Sequence, residues 1–292
     1  MTNADTTGLT YRWRNDEGAD RAAVDALRLD TFDFDVRPLD GLEARDSSYT
    51  PFSYFDAAGT CVANVAICAL PLIVEGVRVE ALGVQSVATR PGWRGRGLFR
   101  DLMTRALAWC DERSELVLLT TDNPALYGRF GFREVAQHRF VGPAPHPASA
   151  APARPLSVAA DLRLIKHLFA TRTPVSRRVG LVNHQAMFLL AVTGKTPPRL
   201  SYLHDFDALV VWESGEDGAF RLLDIVGPRI PPLAAILAAL AVTPGTVEVC
   251  FAPDRLDFDC EPLPLKKSTG LMARGPFVGA ATRFMLPPTA DF

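Results

Sequence analysis

The chain has 292 residues, 48% of them hydrophobic, enough for one large core or two of ordinary size. Its 33 acidic and 31 basic side chains give a net charge of −2, which sets up no global field toward nucleic acid or a membrane surface. No apolar run approaches the length that crosses a bilayer, and the five cysteines, Cys61, Cys68, Cys110, Cys250 and Cys260, form no Cys-x-x-Cys pair of the kind a zinc site or disulfide frame would show. The polar start, Met1 to Leu9, lacks a signal-peptide core. A soluble cytoplasmic protein with free thiols is expected.

In chain order, Ala23, Val24, Leu27 and Phe32 give Asp20 to Phe32 a helical stripe. It runs into a loop, Asp30 to Pro38, that groups Asp30, Asp33 and Asp35 with Phe32 and Phe34. Two readings stay open for that loop: a solvated turn with two buried aromatics, or an acidic, aromatic-lined pocket suited to a cationic amine. Strands are expected over Ser53 to Phe55 and Cys61 to Leu70, split by a turn at Asp56 to Gly59. A further turn at Gly76 leads into Val77 to Val84.

The chemistry shows between Val84 and Phe132. Val84 to Thr89 is a short apolar run, read as a buried strand, and Arg90 to Gly97 is a turn holding Gly92, Gly95 and Gly97 among three arginines. Leu98, Phe99, Leu102, Met103, Ala106, Leu107 and Cys110 give the next stretch one apolar helical face. Leu116 to Thr121 then closes a strand–loop–helix–strand unit of the kind found in parallel or mixed sheets. Glycines let the backbone approach a ligand, and the first N–H groups of the helix point into the loop. With the helix dipole and the arginines, those donors suit a pyrophosphate.

Arg94-Gly95-Arg96-Gly97-Leu98-Phe99, followed by Asn123-Pro-Ala-Leu-Tyr127-Gly-Arg-Phe-Gly-Phe132, resembles the acetyl-CoA-binding core of the GNAT N-acetyltransferase superfamily. The family's loop reads Arg/Gln-x-x-Gly-x-Gly/Ala; Arg94 and Gly97 match it, and Phe99 departs at the last position. The Arg-rich loop with Tyr-Gly-Arg-Phe-Gly is most similar to the Eis group. The resemblance implies direct transfer of acetyl from acetyl-CoA to a primary amine, without an acyl-enzyme. It implies that Arg94, Gly95, Arg96, Gly97, Leu98 and Phe99 hold the pyrophosphate, and that main-chain groups of Val87, Ala88 and Thr89 hold the pantetheine arm. Asn123 sits four residues before Tyr127, so a helix between them would put both on one face. Tyr127 is implied to protonate the departing thiolate, a task a phenol can perform, and the α-carboxylate of Phe292 is implied as the base. The acceptor is expected to be a small-molecule or peptide amine, with no nucleic acid, membrane or metal involved; assembly into a homo-oligomer stays open. The rival functions are a non-catalytic acyl-CoA sensor or scaffold, and an acyltransferase acting on a protein amine.

Five prolines between Gly142 and Pro155 cannot sit in a regular helix or central strand. They divide the chain into a catalytic domain (1–142), a linker (143–155) and a second domain (156–292). In the latter, a helix at Asn183 to Val192, strands at Ser201 to Leu203, Ala208 to Glu213 and Phe220 to Val226, a helix at Leu233 to Leu240 and a strand at Thr246 to Ala252 repeat the order of the first. Pro228, Pro231 and Pro232 replace the anion loop and remove donors a phosphate would need. The expected fold class is therefore α/β (α+β): tandem GNAT-like domains, the second degenerate, each a mixed, mostly antiparallel sheet flanked by helices. Arg172, Arg177 and Arg178 read as a solvated basic face, His184 and His204 lack metal-ligand spacing, and Asp254 to Asp259 fits half-exposed strand alternation.

Overall fold

The computed structural model describes residues 4–290 apart from 15, 16, 147, 216, 217, 266–268 and 280. Its first half runs β1 (Thr10–Trp13), α1 (Gly18–Phe32), α2 (Pro38–Gly41), β2 (Thr50–Phe55), β3 (Cys61–Val74), β4 (Val77–Thr89), α3 (Leu98–Asp111), β5 (Val117–Thr121), β6 (Arg133–Val135) and β7 (His138–Pro143). Its second half runs β8 (Arg154–Pro155), α4 (Val158–Ala170), β9 (Val179–Leu181), α5 (Gln185–Thr193), β10 (Arg199–Leu203), β11 (Ala208–Ser214), β12 (Phe220–Val226), α6 (Leu233–Ala239), β13 (Thr246–Val249), β14 (Glu261–Pro264) and β15 (Gly270–Arg274).

These strands form two mixed, mostly antiparallel sheets flanked by helices, the fold class expected. The first has the order β1-β2-β3-β4-β5-β15-β6, with β9 paired to β3; the second has the order β14-β7-β13-β12-β11-β10-β8. Only β4 with β5 and β12 with β13 run parallel among the described strands, and each parallel pair is joined through a helix, α3 or α6, as a crossover requires.

The two sheets exchange strands. In the first, β15 lies between β5 and β6, with Met272 opposite Leu119 on one side and Glu134 on the other. In the second, β7 lies between β13 and β14, with Val141 opposite Glu248 and Glu261. Each half therefore supplies one interior strand to the other half's sheet, across the Pro-rich stretch at 143–155. The exit from β15 admits only glycine: Gly275 has φ 93°, and a Cβ there would lie 1.7 Å from the Glu115 carbonyl oxygen.

Packing follows the alternation of the strands. Leu82 and Val84 on β4, with Val117 and Leu119 on β5, face the α3 side chains Leu98, Leu102, Met103 and Ala106. Ala81, Leu116 and Leu118 turn to the other side and share a core with Leu222, Ile236, Phe251 and Phe284 of the second half. α1 covers the end of that side, with Val24 and Leu27 on Phe55, Cys61 and Ala88. Val77 to Thr89 is one continuous strand and not the two pieces expected, kinked where Ser86 takes φ 56°.

A buried polar network ties the second half together and corrects the solvated-face reading of Arg172. That side chain is 1% exposed; its guanidinium donates to Nδ1 of His184 at 2.7 Å and approaches Asp224 at 3.4 Å. Arginine can only donate, so His184 carries its proton on Nε2 and donates to Asp224 Oδ2 at 3.0 Å. Thr289 Oγ1 donates to the same carboxylate at 2.7 Å. Burial and the neighbouring Arg172 hold the His184 pKa below its ordinary value, and Asp224 is also held low: burial raises it, but Arg172, His184 and Thr289 together outweigh that. In both cases the unfolded chain binds more protons, so this part of the stability is present above about pH 6.5 for the histidine and is lost as pH falls below it. Asp224→Ala leaves Arg172 buried without its counter-charge and is expected to cost about 3–5 kcal/mol. Urea unfolding at pH 7.5 and 5.5 measures both effects; a variant as stable as wild type would refute them. The aspartates at 254–259 are not on a strand, contrary to expectation: Asp254 instead accepts from Ser176 Oγ and from the Arg177 N–H.

Candidate active site

The pairing of β4 with β5 ends at Val84 opposite Leu119. Beyond that point the strands part, and both line a cavity of about 1140 Å³. The edge of β4 facing β5 is thus free of strand pairing from Gln85 to Thr89, and its main-chain groups open on the cavity. The kink is pinned from behind: Ser53 Oγ donates to Asn64 Oδ1 at 2.8 Å, and Asn64 Nδ2 donates to the Ser86 carbonyl at 2.8 Å.

The Arg-Gly loop closes one end. Gly95 (φ 79°) and Gly97 (φ 80°) both adopt the left-handed conformation, which other residues reach only with strain. Gly97 is the N-cap of α3 and no side chain caps that helix, so the N–H groups of its first turn remain available. Arg94, Arg96, Arg100 and Arg129 all line the cavity, and none forms an ion pair among the described residues. Arg94 is steadied by donating to the Thr89 carbonyl at 3.1 Å, and Arg96 lies over the Trp93 ring at 4.5 Å. Ala4 and Asp5 lie against this loop: the Asp5 N–H donates to the Arg96 carbonyl at 2.8 Å, and a Cβ on Gly97 would meet Ala4 at 3.2 Å.

Tyr127 faces the cavity between two 3-10 turns, Pro124–Leu126 and Gly128–Phe130. It is 7% exposed, and its ring is held edge-on by Phe99 at 5.8 Å and Phe132 at 6.2 Å. Phe99, where the loop departs from the family pattern, thus buttresses the phenol. Burial, reinforced by Asp122, pushes the Tyr127 pKa up to about 12. The phenol therefore stays protonated across the ordinary working range. Cys110 is fully buried against the sheet, its thiol pushed up to about 12 by burial, which makes it inert.

Of the residues expected at the site, Val87, Ala88, Thr89, Arg94, Gly95, Arg96, Gly97, Leu98, Phe99 and Tyr127 share this cavity. Asn123 does not line it: the side chain is exposed, and the single helix that would have aligned it with Tyr127 is replaced by the two tighter turns. Phe292 lies outside the described residues. His138 begins β7 in the second sheet, away from the cavity lining. Sequence reading passed over Arg28, Gln85 and Met187, which also line the cavity. Arg28 follows Leu27 on α1, so the periodicity that revealed the helix could also have placed it.

The profile of the acetyltransferase (GNAT) domain matches residues 48–135. The chain is 29% identical over 121 residues to the uncharacterized N-acetyltransferase YhbS of Escherichia coli K12, covering 41% of this chain and 71% of that protein. Over 91% of its length it shares its fold with a GCN5-related N-acetyltransferase of Anabaena variabilis (TM-score 0.60, 14% identity, 72% of that chain). It likewise shares its fold with Eis1 of Mycobacterium abscessus (TM-score 0.58, 16% identity, 91% of this chain and 73% of that one). The domain match spans β2 to β6, with the cavity at their centre, so it is residues 48–135 of this chain that carry the likeness to the GNAT acetyltransferase domain.

Proposed function

We propose that the protein transfers an acetyl group from acetyl-CoA directly to a primary amine. The observation that carries this reading is that Arg94, Arg96 and Arg100 at the uncapped start of α3, and Arg129 lining the same cavity, form no ion pair among the described residues, a constellation suited to a polyanion. The loop from Arg94 to Phe99 receives the pyrophosphate, and the unpaired edge of β4 from Val87 to Thr89 runs beside the pantetheine arm. The amine attacks the thioester carbonyl, the C–N bond forms and the C–S bond breaks, and Tyr127 gives its proton to the departing sulfur. The proton shed by the amine returns to the phenol through solvent or Asp122, which with Asp5 supplies the cavity's carboxylates among the described residues.

Calorimetry with acetyl-CoA tests the reading. Arg94→Ala removes a charge-assisted contact and is expected to weaken binding by about 10- to 100-fold, the equivalent of roughly 1.5–3 kcal/mol. Combining it with Gly97→Asp, which adds backbone strain and a negative charge, should abolish measurable binding. A folded wild type that does not bind acetyl-CoA overturns the proposal.

A further inference from the structure

The acidic-loop reading predicts a negative acceptor pocket, but the aspartates of that loop are all engaged elsewhere. Asp30 pairs with Arg90 at 2.7 Å, Asp35 with Arg37 at 2.7 Å, and Asp33 with Lys195. None of the three lines the cavity, whereas their neighbours Thr31, Phe32 and Phe34 do.

The charged group that this end of the cavity presents is instead Arg28. It is 6% exposed and yet lines the cavity. It pairs with Asp25 through one contact at 3.4 Å, and that carboxylate also accepts from Arg45 on both of its oxygens, at 3.2 and 2.8 Å. The guanidinium rests on the Tyr49 ring at 4.9 Å and keeps donors to spare out of its five. Beside the β4 kink, Gln85 is 7% exposed, its amide buried and turned toward the Cys68 thiol. It too lines the cavity. A buried guanidinium with donors to spare that lines the cavity forms a receptor for a carboxylate. The surrounding wall is apolar, with Phe32, Phe34, Leu126 and Met187.

We infer that the acceptor is an α-amino acid with an apolar side chain, its carboxylate received by Arg28 and its amine directed toward β4 and Tyr127. This rests on the acetyltransferase reading and narrows it. Bond changes are those given above, with the amino acid's nitrogen as the nucleophile and N-acetyl amino acid and free CoA thiol as products. A site of this kind discriminates strongly, because an acceptor without the carboxylate leaves its buried donors unpaired.

The test measures binding to the full chain by calorimetry, with and without saturating CoA, of two matched sets. One is phenylalanine, 3-phenylpropionate and phenethylamine; the other is leucine, 4-methylpentanoate and isopentylamine. In at least one set the amino acid and the carboxylate should bind tenfold or more tighter than the amine. Arg28→Met should erase that preference; melting curves establish that the variant is folded. Equal or tighter binding of the amines in both sets, or no binding by any carboxylate, overturns the inference from the wild type alone. Intact CoA binding without a carboxylate preference defeats only this inference. Carboxylate binding without CoA binding defeats only the acetyltransferase reading.

Discussion

Tyr127→Phe should lower kcat for acetyl transfer by about 10²- to 10⁴-fold, the usual contribution of a positioned proton donor, while the affinity for acetyl-CoA stays within about twofold of wild type. The variant keeps the ring contacts with Phe99 and Phe132 and loses only the hydroxyl, so its melting temperature should scarcely move. That combination separates proton donation from packing, since a purely structural tyrosine would change stability and leave turnover alone. The pH dependence adds a second check. With its pKa pushed up to about 12 by burial and Asp122, the phenol keeps the proton it must donate throughout the working range. Any fall in wild-type kcat below about pH 10 therefore belongs to another group, and an alkaline limb should shift or vanish only through changes elsewhere. An unaltered kcat in Tyr127→Phe would refute the assignment.

Residues 1–155 made alone are expected to yield no cooperatively folded domain. The fragment lacks β15, so the facing edges of β5 and β6 lose the strand that joins them. It also lacks β9, which pairs with β3. Leu70, Leu72, Ala81, Leu116 and Leu118, buried against the second half, become exposed. At about 1.5–3 kcal/mol for each of the four leucines, that loss is on the order of 6–12 kcal/mol, comparable with the whole stability of an ordinary domain. Circular dichroism melting of the fragment decides the matter: a sharp transition near that of the full chain would show that the exchanged strands are dispensable. Mixing 1–155 with 156–292 should restore some folded material, because each fragment carries an interior strand of the other's sheet.

What the sequence disclosed and what it hid divide along a physical line. The segment from Val77 to Thr121 was readable because its signals are local: helical spacing of apolar residues on α3, glycines where the chain needs a left-handed turn, and apolar strands of interior length. α4 was equally readable and was passed over, although Ser157 caps it through the Ala160 N–H and Ile165, Leu168 and Phe169 form its buried stripe. Strand exchange left no such trace. A pairing such as Leu119 with Met272 is chosen by the edges available after collapse, and short strands like β6, β14 and β15 carry too few residues to announce a register. At the site, the arginines of the loop were legible as a cluster. The pairing of Asp35 with Arg37 is local, but the engagement of Asp30 by Arg90 and of Asp33 by Lys195 was not legible, because those partners lie far away in the chain.

The exchange also sets a clock. Thr121 on β5 and its partner Gly270 on β15 are separated by roughly 150 residues, which a ribosome working at about 5–20 residues per second delivers in roughly 7–30 s. For that interval the open edge of β5 can accept any passing strand, including the same segment of a neighbouring nascent chain. Helices and the β3–β4 hairpin form in microseconds to milliseconds, so they wait, nearly complete, for the piece that finishes the sheet. The yield of native protein in a cell is then governed by how well that edge is shielded during synthesis. Slowing translation between β5 and β15 should lower it without changing any contact of the finished molecule.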